Sequence, residues 1–123
     1  MKILKYEDFE NIWRVEGFDK EYEALFGKSK SEHKKYLTKL FDNLFLLDQH
    51  KTAGRKQFEK IEENLWSIRD VSKSNPRVLY TYITDDGKII LLHPFLEKSG
   101  SDYEEGKRRA RKQVKELRRN FYE

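Results

Sequence analysis

The sequence predicts an α+β domain: an antiparallel β-sheet packed with N-terminal helices and finished by a basic C-terminal helix. Three observations carry that reading. From Leu65 to Lys98 there are three short runs rich in Ile, Leu, Val, Trp and Tyr, separated by polar or turn-forming residues, as in strands joined by tight connections. From Ser31 to about Gln49, Leu37, Leu40, Leu44 and Leu47 recur at spacings of three and four, with Tyr36 and Phe41 beside them, which makes one apolar helical face. From Tyr103 to Asn120 a second stripe, Tyr103, Ala110, Val114, Leu117 and Phe121, stands against a largely basic remainder.

Along the chain, the first thirty residues are the least legible. Tyr6, Phe9, Ile12 and Trp13 are spaced like a helix face, while Ile12, Trp13, Arg14 and Val15 read equally as a strand, and the residues leave both open. Asp19 to Phe26 reads as a short helix ended by Gly27 and Ser29, and Ser31 is the expected cap of the longer helix that follows. Lys51 to Lys60, with Lys51, Arg55, Lys56 and Lys60 against Glu59 alone and Gly54 breaking regularity, reads as a basic loop leading into the sheet. Pro76 lacks an N–H and cannot enter a central ladder, so Ser72 to Pro76 forms a looser link between the first two strands. Between the second and third stand Thr84, Asp85, Asp86 and Gly87, whose Asp-Gly pair supplies the positive φ of a two-residue hairpin turn. The result is a three-stranded antiparallel meander with Ile89 to Leu92 buried on both faces.

Composition bounds the function. At 123 residues the chain has room for one core. It contains no cysteine, which excludes a disulfide scaffold and thiolate metal sites and suits a reducing cytoplasm. No apolar run reaches the roughly 20 residues of a membrane span, and no signal-peptide core opens the chain. The formal charge is only +4, but it is unevenly spread: eight basic residues in the tail helix face Glu104, Glu105 and Glu116, leaving +5 there and −1 elsewhere. A concentrated positive field fits a phosphate-bearing or acidic partner, and a solvated, salt-bridged face is the alternative.

On alternating strands, Ser67 and Arg69 share one face, and Arg77, Leu79 and Thr81 share a side of the next strand. Two arginines on neighbouring strands can hold an anion, because guanidinium is planar and permanently charged; an ion pair with a carboxylate such as Asp70 is the competing expectation. His93 is expected to end the third strand, where a hydrogen-bonded structural role competes with a chemical one. His33, His50 and His93 are scattered without metal-ligand spacing, so no metal or other cofactor is expected. A glycine-rich phosphate loop and a Gly-x-Ser-x-Gly elbow are absent.

The string Leu65-Trp66-Ser67-Ile68-Arg69, then Pro76-Arg77-Val78-Leu79-Tyr80, then Ile90-Leu91-Leu92-His93-Pro94-Phe95-Leu96-Glu97-Lys98, followed by a basic helix, resembles the HigB-like, phage-derived branch of the RelE/ParE toxin superfamily. That branch shows leucine-tryptophan-glutamate-leucine-arginine, then arginine-valine-leucine-tyrosine, then leucine-leucine-histidine-glycine-phenylalanine with paired lysines. The likeness covers roughly Phe58 to Leu117. Ser67 departs from it in place of glutamate, Pro94 in place of glycine and Glu97 in place of a lysine, and a proline before the last helix is missing.

The resemblance implies a small RelE-like domain and the toxin of a type II toxin-antitoxin pair, a ribosome-dependent endoribonuclease that cuts messenger RNA and stops translation. A ParE-like gyrase inhibitor or a non-catalytic basic binding module is the alternative, since fold alone does not separate them. It further implies a cytoplasmic protein whose partners are the ribosome, messenger RNA and a cognate HigA-like helix-turn-helix antitoxin. By position, Arg69, Arg77 and Lys98 would steady the phosphodiester transition state and His93 would move the proton, with Lys56 or Tyr103 as substitutes. Arg55, Lys56, Lys107, Arg108, Arg111 and Lys112 would hold RNA by its backbone.

Overall fold

The computed structural model describes residues 1–27, 29–69, 76–83 and 87–122, of which 120–122 are described by their backbone alone. The N-terminal ambiguity resolves as strand. Strand β1 (Ile3–Lys5) pairs antiparallel with β2 (Ile12–Val15), and Ile12 and Val15 are both buried. Helical spacing at Tyr6 and Phe9 reflects a compact turn instead, in which those two rings pack edge-on against each other and against Phe41. Helix α1 (Phe18–Phe26) follows Gly17, whose φ of 95° needs glycine, and buries Phe18, Tyr22 and Phe26 at four-residue intervals.

Helix α2 (Lys30–Asp48) starts one residue before the expected cap. Ser29, not Ser31, has extended backbone and accepts from the Glu32 N–H at 3.2 Å. Past the 51–57 segment, residues read from sequence as the end of a loop form an extra strand, β3 (Phe58–Glu62). The meander is present as β4 (Leu65–Arg69), β5 (Pro76–Tyr82) and β6 (Ile89–Leu96), and Ile89 to Leu92 are all buried. The β4–β5 link and turn residues 84–86 lie outside the described residues. Gly87 has the positive φ expected of it, at 90°.

These strands form one six-stranded sheet in the order β1-β2-β6-β5-β4-β3. It is mixed, which corrects the antiparallel expectation: β2 runs parallel to β6, pairing Ile12 with Ile89 and Arg14 with Leu91. Both helices and strands β3 to β5 separate β2 from β6 in the chain, so no tight turn forces these two neighbours to run antiparallel. Helix α3 (Gly100–Tyr122) covers one face, with Ala110, Val114 and Leu117 buried. On the other face Pro76, Val78 and Ile68 meet Leu40 and Asn43 of α2. The chain is therefore an α+β domain with helices on both sides of its sheet.

β6 runs past His93 through Pro94 to Leu96, three residues beyond the expected end. β2 pairs with β6 only as far as Leu91, so Pro94 occupies an edge position on that side, where a missing N–H costs no ladder bond. Opposite Leu79 and Tyr80, the register of β6 jumps from His93 to Leu91 and leaves Leu92 as a bulge residue. No helix among the described residues is long and apolar enough to cross a membrane.

Candidate functional site

The cross-strand register puts Arg69 directly opposite Arg77, and Arg77 opposite Phe95. One pleat away, Ser67, Leu79 and His93 form a parallel row on the same face. All of this faces α3. Arg69 and Arg77 thus do share one sheet face, as alternation predicts, and His93 lies on that face as well.

Arg77 is not an open cation there. Its side chain is only 7% exposed and its Nε donates to Glu97 at the end of β6. Nη1 donates to Ser67 Oγ at 3.1 Å and lies 3.8 Å from Glu59, while the Tyr103 ring covers the guanidinium at 4.8 Å. The ion-pair expectation therefore holds in kind, with Glu97 as the partner. Ser67 and Glu97, two of the positions that depart from the family pattern, are both ligands of this one arginine.

Arg69 differs: it is half-buried, and its Nε is buried without a hydrogen-bond partner among the described residues. Lys107 also approaches Tyr103, its ammonium 4.6 Å from the ring centre and 2.8 Å from Glu104. Arg77 and Lys107 thus both approach Tyr103 at one edge of α3, and Arg69 stands across the ladder from Arg77.

His93 belongs to a second centre on the far side of that helix. Its Nδ1 is 2.8 Å from Gln113 Oε1, and Gln113 Nε2 donates to the Leu92 carbonyl at 3.0 Å. Because the Gln113 amide nitrogen is committed to Leu92, its oxygen faces the histidine, so Nδ1 carries the proton and Nε2 a lone pair. The bulge explains the arrangement: it frees the Leu92 carbonyl from the ladder, and Gln113 satisfies it. Burial holds the His93 imidazole below its ordinary pKa; the Gln113 hydrogen bond and Glu21 oppose that and Arg109 adds to it. The ring is neutral at pH 7.

His93 and Lys98 line a groove of about 400 Å³ between α1, the edge of β6 and α3, together with Leu25, Phe95 and Arg109. Arg69 and Arg77 do not line it. Gly106 presses against Phe95 between the two centres, close enough that a Cβ there would sit 2.9 Å from the ring. The four residues expected to act together are therefore split into two pairs by the first turns of α3.

The expected RNA-holding cations divide as well. Lys107 pairs with Glu104, Arg108 with Glu105, and Arg111 with Glu62 at 2.9 Å. Arg109 is bidentate with Glu21 of α1, one contact measuring 2.8 Å. Lys112 is exposed and makes no ion pair among the described residues; Arg55 Nε turns back to the Lys51 carbonyl at 2.8 Å, and Lys56 is exposed. Much of the helix charge thus fastens α3 to β3 and α1, which corrects the picture of an open basic face. The cause is the tail's own acidic residues at three-residue spacing, plus Glu21 and Glu62.

Sequence reasoning missed Glu59 and Gln113. Gln113 falls on the buried stripe between Ala110 and Val114, and a polar residue on such a stripe was the available signal. Among the described residues, no group of three or more His, Cys, Asp or Glu is placed to hold a metal ion. No protein-family model matches the chain, and no curated protein matches it.

Proposed function

We propose that the chain is the toxin of a type II toxin-antitoxin pair, an endoribonuclease that cuts messenger RNA on the ribosome. The observation that supports this reading is the Arg69–Arg77 cross-strand pair, with Tyr103 against Arg77 and Lys107 against Tyr103. In such a reaction a ribose 2′-OH loses its proton and attacks the adjacent phosphate, negative charge grows on the non-bridging oxygens, and the bond to the 5′-oxygen breaks as that oxygen takes up a proton, leaving a 2′,3′-cyclic phosphate and a 5′-hydroxyl. A fixed donor aimed at that charge is worth on the order of 3 kcal/mol.

Arg77 is committed to Glu97, so its part is to hold Tyr103 and stiffen the rim. Arg69, which makes no ion pair among the described residues, then meets the phosphate, and Lys107 joins it by exchanging Glu104 for the phosphate oxygens. Tyr103 replaces His93 as the proton-transfer group, because His93 faces a different groove. Lys112 and Lys56 remain for backbone contact with RNA, and a cognate antitoxin would cover the rim.

The alternative, a non-catalytic basic binding module, draws support from the pairing of Arg77, Lys107, Arg108, Arg109 and Arg111 with carboxylates. Induction without an antitoxin, followed by primer extension on a translated reporter, separates the two. Cleavage that follows translation, lost in Arg69→Ala and in Tyr103→Phe, is the expected result. Intact messages with ribosomes bound leave the binding module, and intact messages with a DNA-damage response indicate gyrase.

A further inference from the structure

A second cavity, of about 260 Å³, lies between α1 and α2, away from the arginine rim. Its walls are Phe18, Tyr22, Leu37 and Phe41, and its polar groups are Asp19, Glu23 and His33. Two of those polar groups are unspent. Asp19 is committed, accepting from Tyr6 Oη and Arg14 Nε at 2.7 Å each. Among the described residues Glu23 makes no ion pair, and His33 Nδ1 is buried with no hydrogen-bond partner. Both lie beside Gly27: a Cβ built there would meet the Glu23 carbonyl oxygen at 2.5 Å, Glu23 Cγ at 3.1 Å and His33 Nδ1 at 3.2 Å.

We propose that this cavity binds a small organic cation with an aromatic body, an arylalkylammonium in chemical class. An ammonium supplies both things the cavity lacks, a positive charge for Glu23 and N–H donors for the stranded His33 nitrogen. The aromatic walls favour a flat apolar body, and ring faces attract a cation that enters beside them. An anion is disfavoured by the two carboxylates. The volume is that of a single-ring ligand, which sets the expected Kd in roughly the millimolar range. This site shares no residue with the proposed nuclease rim and stands whether or not RNA is cut.

The test is a titration of the full chain with phenethylammonium, followed by amide and aromatic NMR shifts. Saturable shifts at Tyr22, His33, Leu37 and Phe41 are expected, with phenylacetate and 2-phenylethanol binding at least about tenfold more weakly. Glu23 is exposed, so Glu23→Gln should fold normally, as its melting curve will show, and lose about tenfold in affinity. Absence of saturable shifts up to roughly 10 mM overturns the proposal. So does equal binding of phenylacetate, or an unchanged affinity in Glu23→Gln.

Discussion

Removing Glu97 is the sharpest test of how Arg77 is held. The Arg77 side chain is 7% exposed and that of Glu97 24%. Breaking a buried ion pair at one end costs about 3–5 kcal/mol, because the other charge is left unpaired. Two features lower that figure here. Glu97 keeps some contact with water, and Glu59, 3.8 Å from Nη1, can move in as a substitute. Glu97→Ala should therefore cost about 1–3 kcal/mol. Arg77→Ala should cost at least as much, since it also strips Ser67 of a donor and Tyr103 of its cation. If the pair is one unit, Arg77→Ala/Glu97→Ala will be less destabilised than the sum of the singles, with a coupling of about 1–3 kcal/mol. Urea unfolding of the four proteins measures this, provided the m-value stays constant. Additive single effects would refute the account, because Arg77 would then be held by packing and by Ser67 alone.

Burial of neutral His93 predicts a pH dependence whose sign follows from its lowered pKa. The unfolded chain binds the proton more readily, so stability falls as pH drops below about 6.5, by up to about 1.4 kcal/mol per pH unit, until the folded pKa is reached. Thermal melts between pH 7 and 5 should show that slope, and His93→Gln should flatten it. Gly106→Ala adds a methyl 2.9 Å from the Phe95 ring, and the resulting strain of about 1–3 kcal/mol should outweigh the helix-propensity gain of about 1 kcal/mol. A melt of Gly106→Ala paired with Phe95→Leu tests this, since the smaller side chain should recover most of the loss. Ser29→Ala should lower stability by about 1 kcal/mol in urea unfolding, while Ser31→Ala stays within about 0.5 kcal/mol, because only Ser29 caps α2.

The helices and the meander were legible because each rests on a pattern within its own residues: the leucine spacing of α2, the stripe of α3, the alternating runs of β4 to β6. β2 was not, since Ile12 to Val15 form a strand only because the edge of β6 offers them partners. β3 was hidden by its charge. As an edge strand it pairs on one side only, and Glu59 and Lys60 are exposed where a buried strand would carry apolar residues. The arginine rim was half legible: alternation put Arg69 and Arg77 on one face, but pairing depends on side chains far apart in sequence. Glu97 is twenty residues from Arg77.

Ser67 and Glu97 act on one side chain. Taken along the chain, they are thirty residues apart, one a small hydroxyl on β4 and one a carboxylate after β6. In space both meet Arg77: Ser67 accepts from Nη1, and Glu97 takes the charge at Nε. Were residue 67 a glutamate and residue 97 a lysine, the same arginine would still have a carboxylate beside it, approached from β4 instead of from β6. A carboxylate beside Arg77 is thus kept while its strand of origin is exchanged, and the added lysine would stand near the rim as a free cation. In urea unfolding, Ser67→Glu/Glu97→Lys should accordingly be more stable than Glu97→Lys alone, which sets two cations together against Ser67. It should stay below the original chain, because Ser67 is fully buried and a glutamate there overpacks by about 1–3 kcal/mol. A double variant no more stable than Glu97→Lys would refute the exchange.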